Sequence, residues 1–165
     1  MNILVTGGAG YIGSHTVLAL LDRGHRVWVL DNFSNSSPKV MPRLESLSGK
    51  SIPFFELDLR DGTAVADLLA NNAIDAVVHF AALKAVGESC AQPLQYFDNN
   101  ISGTISLLTA MRTVGTKLIV FSSSATVYGD CEQFPISEDA PRYATNPYGR
   151  SKLIIEDMLH DVCVA

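Results

Sequence analysis

Residues Thr6 to Gly13 read T-G-G-A-G-Y-I-G, with glycine at positions 7, 8, 10 and 13. The stretch follows an apolar run, Ile3 to Val5. It precedes an amphipathic segment in which Ile12, Val17, Leu20 and Leu21 fall on roughly one helical face. A strand, a glycine turn and a helix in that order form a dinucleotide-binding βα unit. One glycine lets the chain turn sharply, one lets a pyrophosphate approach the backbone, and one lets the helix pack closely. The helix N-terminus offers N–H groups and partial positive charge to phosphates. Two templates fit: Gly8, Gly10 and Gly13 as G-x-G-x-x-G, or Gly7, Gly10 and Gly13 as G-x-x-G-x-x-G.

The following segments repeat the alternation. Gly24 is expected to stop the first helix. Arg26 to Leu30 reads as the second strand and delivers Asp31, eighteen residues beyond Gly13. An acid there accepts hydrogen bonds from adenosine ribose hydroxyls, although a turn acid is the plainer alternative. The polar loop Asn32 to Pro38 contains no Arg or Lys. A 2′-phosphate would meet a carboxylate and no clamp, which favours NAD over NADP. Val40 to Leu47 suggests a short helix, and Ile52 to Leu57 a third strand ending at Asp58. That acid serves either the turn or the adenine. Asp61 is expected to cap a helix through Val65, Leu68 and Leu69.

Ala76 to Phe80 (A-V-V-H-F) is short and nearly all apolar, as a strand buried on both faces requires. Ala81 and Ala82 after it are small enough for a cofactor to lie against. Leu83 to Ala91 reads as loop or short helix. A long helix is predicted from Pro93 to Val114, with Asn99 and Asn100 inside it, where a buried amide is more often a satisfied structural group than a ligand contact. Lys117 to Phe121 forms the fifth strand, ending at Ser122, Ser123 and Ser124. Asp130 to Thr145 reads as loop. Asn146 caps the last helix and Pro147 takes its first position. The expected fold is α/β: a Rossmann-like doubly wound parallel sheet of five strands, order 3-2-1-4-5, with helices on both faces. One domain covers residues 1–165.

Composition removes several classes of function. Net charge is -5 with no basic run, against a nucleic-acid partner. The early apolar run is too short for a leader or a membrane span. Cys90, Cys131, Cys163 and the four histidines are dispersed, without zinc or disulfide spacing. No metal is expected, and the chain reads as a reduced, soluble, cytoplasmic protein.

The polar candidates all follow strand ends, where ligands bind in open parallel sheets. Tyr148 and Lys152, four apart, share a helix face. A phenol of pKa about 10 is a poor base at neutral pH, but a nearby ammonium favours its phenolate. Such a tyrosine can take a proton from a sugar hydroxyl as hydride leaves its carbon. Taken alone, Y-x-x-x-K is more often a surface pair; behind a dinucleotide turn it reads as catalytic. Ser124 can hydrogen-bond the reacting oxygen or relay its proton, while Ser122 and Ser123 can cap strand-end carbonyls.

The chain resembles the extended short-chain dehydrogenase/reductase family, and within it the UDP-hexose 4-epimerases. The resemblance rests on Val5 to Thr16, on L-D-N at Leu30 to Asn32, and on H-F-A-A-L-K-A-V-G-E-S at His79 to Ser89. It also rests on D-N-N at Asp98 to Asn100, F-S-S-S-A-T-V-Y-G at Phe121 to Gly129 and N-P-Y-G-R-S-K at Asn146 to Lys152. It implies Tyr148 as base, Ser124 as its partner and Lys152 as activator. It implies cofactor contacts from Gly7, Gly10, Tyr11, Ile12, Gly13, Asn35, Ser36, Phe80, Ala81, Ala82 and Ser122. Asp31, Asn32, Asp58 and Leu59 would surround the adenosine, and Lys84 and Asn99 the nicotinamide end. Lys84, Ser124 and Tyr148 would meet substrate. The implied reaction inverts C4 of a UDP-hexose (UDP-glucose, UDP-galactose) through a 4-keto sugar and NAD. A dehydratase of the same family needs an acid and a base where Ala125 and Thr126 stand; a decarboxylase or a simple reductase is less excluded than that. Family members are longer. The sixth strand and the substrate domain are expected to be missing here, which leaves strand five as an edge and the chain alone a cofactor-binding fragment. The helices around 95–114 and 147–163 pair across a homodimer in that family; their apolar faces here serve that contact or pack on the sheet.

Overall fold

The computed structural model describes residues 1–131 and 134–164. In chain order it contains β1 (Asn2–Thr6), α1 (Tyr11–Asp22), β2 (Arg26–Asp31), α2 (Val40–Ser48), β3 (Phe54–Glu56), α3 (Gly62–Asn71) and β4 (Ala76–His79). Next come α4 (Val86–Ala91), α5 (Pro93–Phe97), a π-helical turn Asp98–Ser102, α6 (Gly103–Val114) and β5 (Leu118–Phe121). A 3-10 turn Ala125–Tyr128 and α7 (Pro147–Val164) follow. Two compact units are built from these elements. The first takes in Met1–Ala82 and Ile105–Ser122; the second takes in Leu83–Thr104 and the chain from Ser123 onward.

The first unit holds the sheet. Its order is β3-β2-β1-β4-β5 and every pairing is parallel, as expected. Alternation along β1 divides its side chains between two cores. Leu4 joins Trp28, Leu30 and Val77 beneath Leu68 and Leu69 of α3 and Leu107 and Met111 of α6. Ile3 and Val5 face the other way, with Val27 and Val29, against Val17 and Leu21 of α1 and Met41 and Leu44 of α2. Strands buried on both faces explain the nearly unbroken apolar runs. Leu107 and Met111 are therefore sheet-packing residues. β5 stands at the edge of the order. Its Ile119 packs on the first core, while Val120 is 65% exposed.

Two elements depart from expectation. The third strand is shorter than 52–57 because the Ile52 N–H goes to the Glu45 carboxylate at 2.9 Å and Pro53 has no N–H. The long helix is interrupted by a π turn around Asn100, whose carbonyl accepts a hydrogen bond from Thr104 Oγ1 at 2.6 Å. π turns of this kind concentrate at functional sites. The predicted caps form as expected. Asp61 accepts from the Ala64 N–H at 3.1 Å, and Asn146 Oδ1 from the Gly149 N–H at 2.8 Å.

The glycine turn depends on two positions. Gly7 has φ +68°, and a Cβ there would sit 2.7 Å from the Ala81 nitrogen. A Cβ on Gly13 would sit 2.2 Å from the Gly7 oxygen, so α1 lies directly on the turn. On Gly10 the same atom would lie 3.2 Å from that oxygen, a gap that small shifts can relieve. Gly13→Ala is therefore expected to destabilise by about 3 kcal/mol, at the upper end of overpacking, and Gly10→Ala by under about 1 kcal/mol. Urea midpoints of the two variants test this, and equal midpoints would contradict it.

Candidate active site

The first unit gathers groups suited to a nucleotide. α1 begins at Gly10 without a side-chain cap and without an acid in its first turn. First-turn N–H groups have no partner inside their own helix, so those of Tyr11, Ile12 and Gly13 can serve an anion. Tyr11 beside them is 77% exposed. Asp31, at the end of β2, is buried. Its Oδ2 accepts from the Ala9 N–H at 3.0 Å; its Oδ1 accepts from the Phe33 N–H at 3.0 Å and Ser36 Oγ at 2.8 Å. The acid thus ties the glycine turn to the loop carrying Asn32, Asn35 and Ser36. Asn32 Nδ2 donates to Asp58 at 3.0 Å. Arg60 donates to Asp58 through its backbone N–H at 2.9 Å and through Nη2 at 2.8 Å, and holds the carboxyl well below its usual range. Leu59 is buried between the two. Phe80, Ala81 and Ala82 follow β4, with Ala81 against Gly7. The Ser122 N–H donates to the His79 carbonyl at 3.1 Å, and the His79 ring meets Thr6 Oγ1 at 2.7 Å.

The second unit gathers the groups suited to proton transfer. Tyr148, Lys152 and Glu156 recur every four residues on one face of α7. Tyr148 is half-buried. Lys152 is 3% exposed, and burial pushes its ammonium down to about 8. The Tyr148 N–H donates to Ser89 Oγ at 3.2 Å, so a serine of α4 serves as a remote cap for α7. Ser151 Oγ donates to the Tyr148 carbonyl at 2.7 Å and accepts from Asn100 Nδ2 at 3.1 Å. Asn100 also clasps Leu83 at both ends: Nδ2 to the carbonyl at 3.0 Å, Oδ1 from the N–H at 2.8 Å. Asn99 donates to the same Oδ1 at 2.9 Å.

Lys84 lies in the loop so clasped and is exposed. Tyr96 OH accepts from the next residue's N–H, Ala85, at 3.0 Å and donates to Glu88 at 2.6 Å. Burial, then Glu88, pushes its phenol up to about 12. Ser124 Oγ accepts from Thr126 twice, from the N–H at 3.2 Å and Oγ1 at 2.9 Å. Ser123 donates to Glu156, which Arg142 also meets at 2.7 Å; Ser123 is therefore bound to a helix, not to a strand-end carbonyl.

This arrangement suits acid–base work at a hydroxyl: a phenol, a buried ammonium on the same helix face and a serine hydroxyl fixed by its neighbours. Sequence reasoning did not single out the supporting residues Ser89, Tyr96, Thr126 and Glu156, and it favoured Asn99 over Asn100. Only the doubled asparagine in D-N-N gave a signal. Among the described residues, no three His, Cys, Asp or Glu side chains gather as metal ligands, and no helix is long and apolar enough to cross a membrane.

Comparison with known proteins fits this geometry. The UDP-glucose 4-epimerase of Bacillus subtilis (strain 168) is 56% identical over 165 residues, 100% of this chain and 49% of that protein. The UDP-glucose 4-epimerase of Dictyostelium discoideum is 52% identical, covering 99% of this chain and 47% of its own length. The chain spans about half the length of the curated relatives it matches. The crystal structure of UDP-glucose 4-epimerase from Bifidobacterium longum, in complex with NAD+ and UDP, superposes with a TM-score of 0.97 at 48% identity. The match covers 99% of this chain and 49% of that one. The Stenotrophomonas maltophila enzyme, with bound NAD and formylated UDP-arabinopyranose, gives 0.96 at 52% identity, covering 98% and 48%. The pattern of the GDP-mannose 4,6 dehydratase family matches residues 4–163. The chain belongs to that family, within the extended short-chain dehydrogenase/reductases.

Proposed function

We propose that this chain forms the NAD-binding half, and carries the catalytic side chains, of an enzyme interconverting UDP-glucose and UDP-galactose. The observation that carries this reading is the Tyr148–Lys152 pair, with its lysine buried on the tyrosine's own helix face. Identity to named epimerases along the whole chain supports it.

The residues present fit NAD. Gly7 and Gly10 leave the backbone open, and the N–H groups of Tyr11, Ile12 and Gly13 would hold the pyrophosphate. A carboxylate has about four lone-pair sites, and Asp31 has filled three of them. One remains for a ribose hydroxyl, and the charge repels a 2′-phosphate. Asn32, Asn35 and Ser36 would flank that ribose, and Asp58 and Leu59 the adenine. Phe80, Ala81, Ala82, Lys84, Asn99 and Ser122 would border the nicotinamide half. Bound NAD supplies the acceptor, and later the donor, of the C4 hydride.

Tyr148, as phenolate, takes the proton of the C4 hydroxyl and gives it back once the configuration has changed. Ser124 donates a hydrogen bond to the same oxygen. Lys152 stays charged at pH 7, since its pKa of about 8 lies above that pH. Its ammonium acts from surroundings poor in water, where charge reaches further. A 4,6-dehydratase needs a further acid and base, and Ala125 and Thr126 offer neither. Contacts to UDP and the hexose ring would come from a C-terminal part such as the longer relatives possess. A homodimer through the helices around 95–114 and 147–163 belongs to the same reading. Of the apolar residues on those helices, Leu107, Met111 and Ile155 are buried within the chain, while Leu108, Met158 and Leu159 are half-buried and would supply that contact.

Four outcomes are expected. Protein purified from cells carries NAD, identified by mass after denaturation; NADP in its place would overturn the cofactor assignment. Joined to the C-terminal half of the Bacillus subtilis relative, the chain interconverts the two UDP-sugars. In that form Tyr148→Phe loses turnover by at least about a hundredfold, the size of a general-base contribution, while NAD stays bound. Retained turnover would remove Tyr148 from the role of base. Lys152→Met lowers kcat by about tenfold or more while NAD stays bound, because the buried ammonium beside the reacting phenol is gone. An unchanged kcat would show that Lys152 does not support Tyr148.

A further inference from the structure

Ser124 is held more firmly than its place in the chain requires. It immediately precedes the 3-10 turn Ala125–Tyr128, and its Oγ accepts from the Thr126 N–H at 3.2 Å, as a capping serine does. The second bond, from Thr126 Oγ1 at 2.9 Å, adds nothing to the cap. It does change what Ser124 can do. A hydroxyl oxygen has two lone pairs and one proton. With one lone pair taken by the Thr126 N–H and the other by the Thr126 hydroxyl, Ser124 is left with a proton to give.

Thr126 also touches the tyrosine helix. A Cβ built on Gly149, the residue after Tyr148, would lie 2.8 Å from Thr126 O and 3.0 Å from Thr126 Oγ1. Only hydrogen fits there. The helix carrying Tyr148 therefore rests on the residue that binds Ser124, and the two reactive hydroxyls are spaced through one side chain and its carbonyl.

We infer that Thr126 is a positioning residue: its hydroxyl occupies the second lone pair of Ser124 and so fixes Ser124 as hydrogen-bond donor to the reacting oxygen. The inference rests on the roles given above to Ser124 and Tyr148. If Thr126 serves only the turn, its hydroxyl affects stability and not the chemical step.

Valine has threonine's shape and keeps the backbone N–H, so Thr126→Val removes only the hydroxyl. In the chain joined to the C-terminal half of the Bacillus subtilis relative, kcat is expected to fall about tenfold, the worth of one well-placed hydrogen bond. KM for UDP-galactose and the NAD content stay as they were. Thr126→Ser, which restores a hydroxyl, brings kcat back to within about threefold of the unsubstituted protein. Unchanged kcat in Thr126→Val overturns the inference, as does a serine variant no faster than the valine one. A loss of NAD together with kcat assigns Thr126 to the fold and overturns it equally. If the unsubstituted protein holds NAD but shows no turnover of either UDP-sugar, the functional reading itself fails, and the role of Thr126 fails with it.

Discussion

The close approach of the glycine turn to the end of β4 governs the first unit. Gly7 lies against the Ala81 backbone and Gly13 against Gly7, with no room for a Cβ at either contact. Three pieces of backbone are therefore stacked without side chains between them. The consequence is chemical as well as steric. The N-terminus of α1 is brought to the carboxyl edge of the sheet with first-turn N–H groups that have no partner inside the helix. Asp31 reaches the Ala9 N–H from the neighbouring strand and fixes the same turn from its other side. A larger residue at Gly13 would move the helix off the turn and carry its first-turn N–H groups away with it.

The second unit is held by a different physics. Its side chains are tied by polar contacts among short elements: Ser89 to Tyr148, Asn100 to Leu83 and Ser151, Tyr96 to Ala85 and Glu88, Ser123 to Glu156. Buried polar groups are costly when unpaired, and among the described residues no buried side-chain nitrogen or oxygen lacks a partner. Such a network specifies geometry closely, since each bond has a preferred distance and direction. Apolar packing tolerates shifts that a chain of hydrogen bonds does not. A unit built to place a phenol, an ammonium and a serine hydroxyl gains from being joined in this way.

This contrast explains what could be read from the sequence. The sheet order, the caps at Asp61 and Asn146 and the ends of the strands were legible because they follow from periodicity and from residues acting within four positions of themselves. Asp31 and Ser124 were legible because they stand at or just past strand ends, and Tyr148 and Lys152 because a four-residue spacing puts them on one face of α7. Asn100 was legible only as a buried structural amide; its partners Leu83 and Ser151 lie 17 and 51 residues away and no local rule connects them. The π turn escaped for the same reason: a helical pattern from Pro93 to Val114 carries no sign of a one-residue wide turn. Glu156 drew no attention in the sequence, since its partner Ser123 lies 33 residues away. The shortened third strand was nearer the surface of the sequence, because Pro53 already advertised a missing donor.

Lys152 shows why such a network is worth its constraints. Burial lowers its ammonium from 10.5 to about 8. At about 1.4 kcal/mol per unit, keeping the charged form inside costs roughly 3 kcal/mol. The sign follows from proton counting. Between pH 8 and 10.5 the unfolded chain binds the proton and the folded chain does not, so stability rises with pH across that window. Below it the cost is paid in full. A residue selected for stability alone would be apolar at this position, beside Ser151 and Ile155, both buried. The charge is retained where it weakens the fold, on the face of α7 that carries Tyr148, and at pH 7 it remains an ammonium. A charge held against its own solvation in this way stands one helical turn from Tyr148, the residue proposed above to take and return a proton.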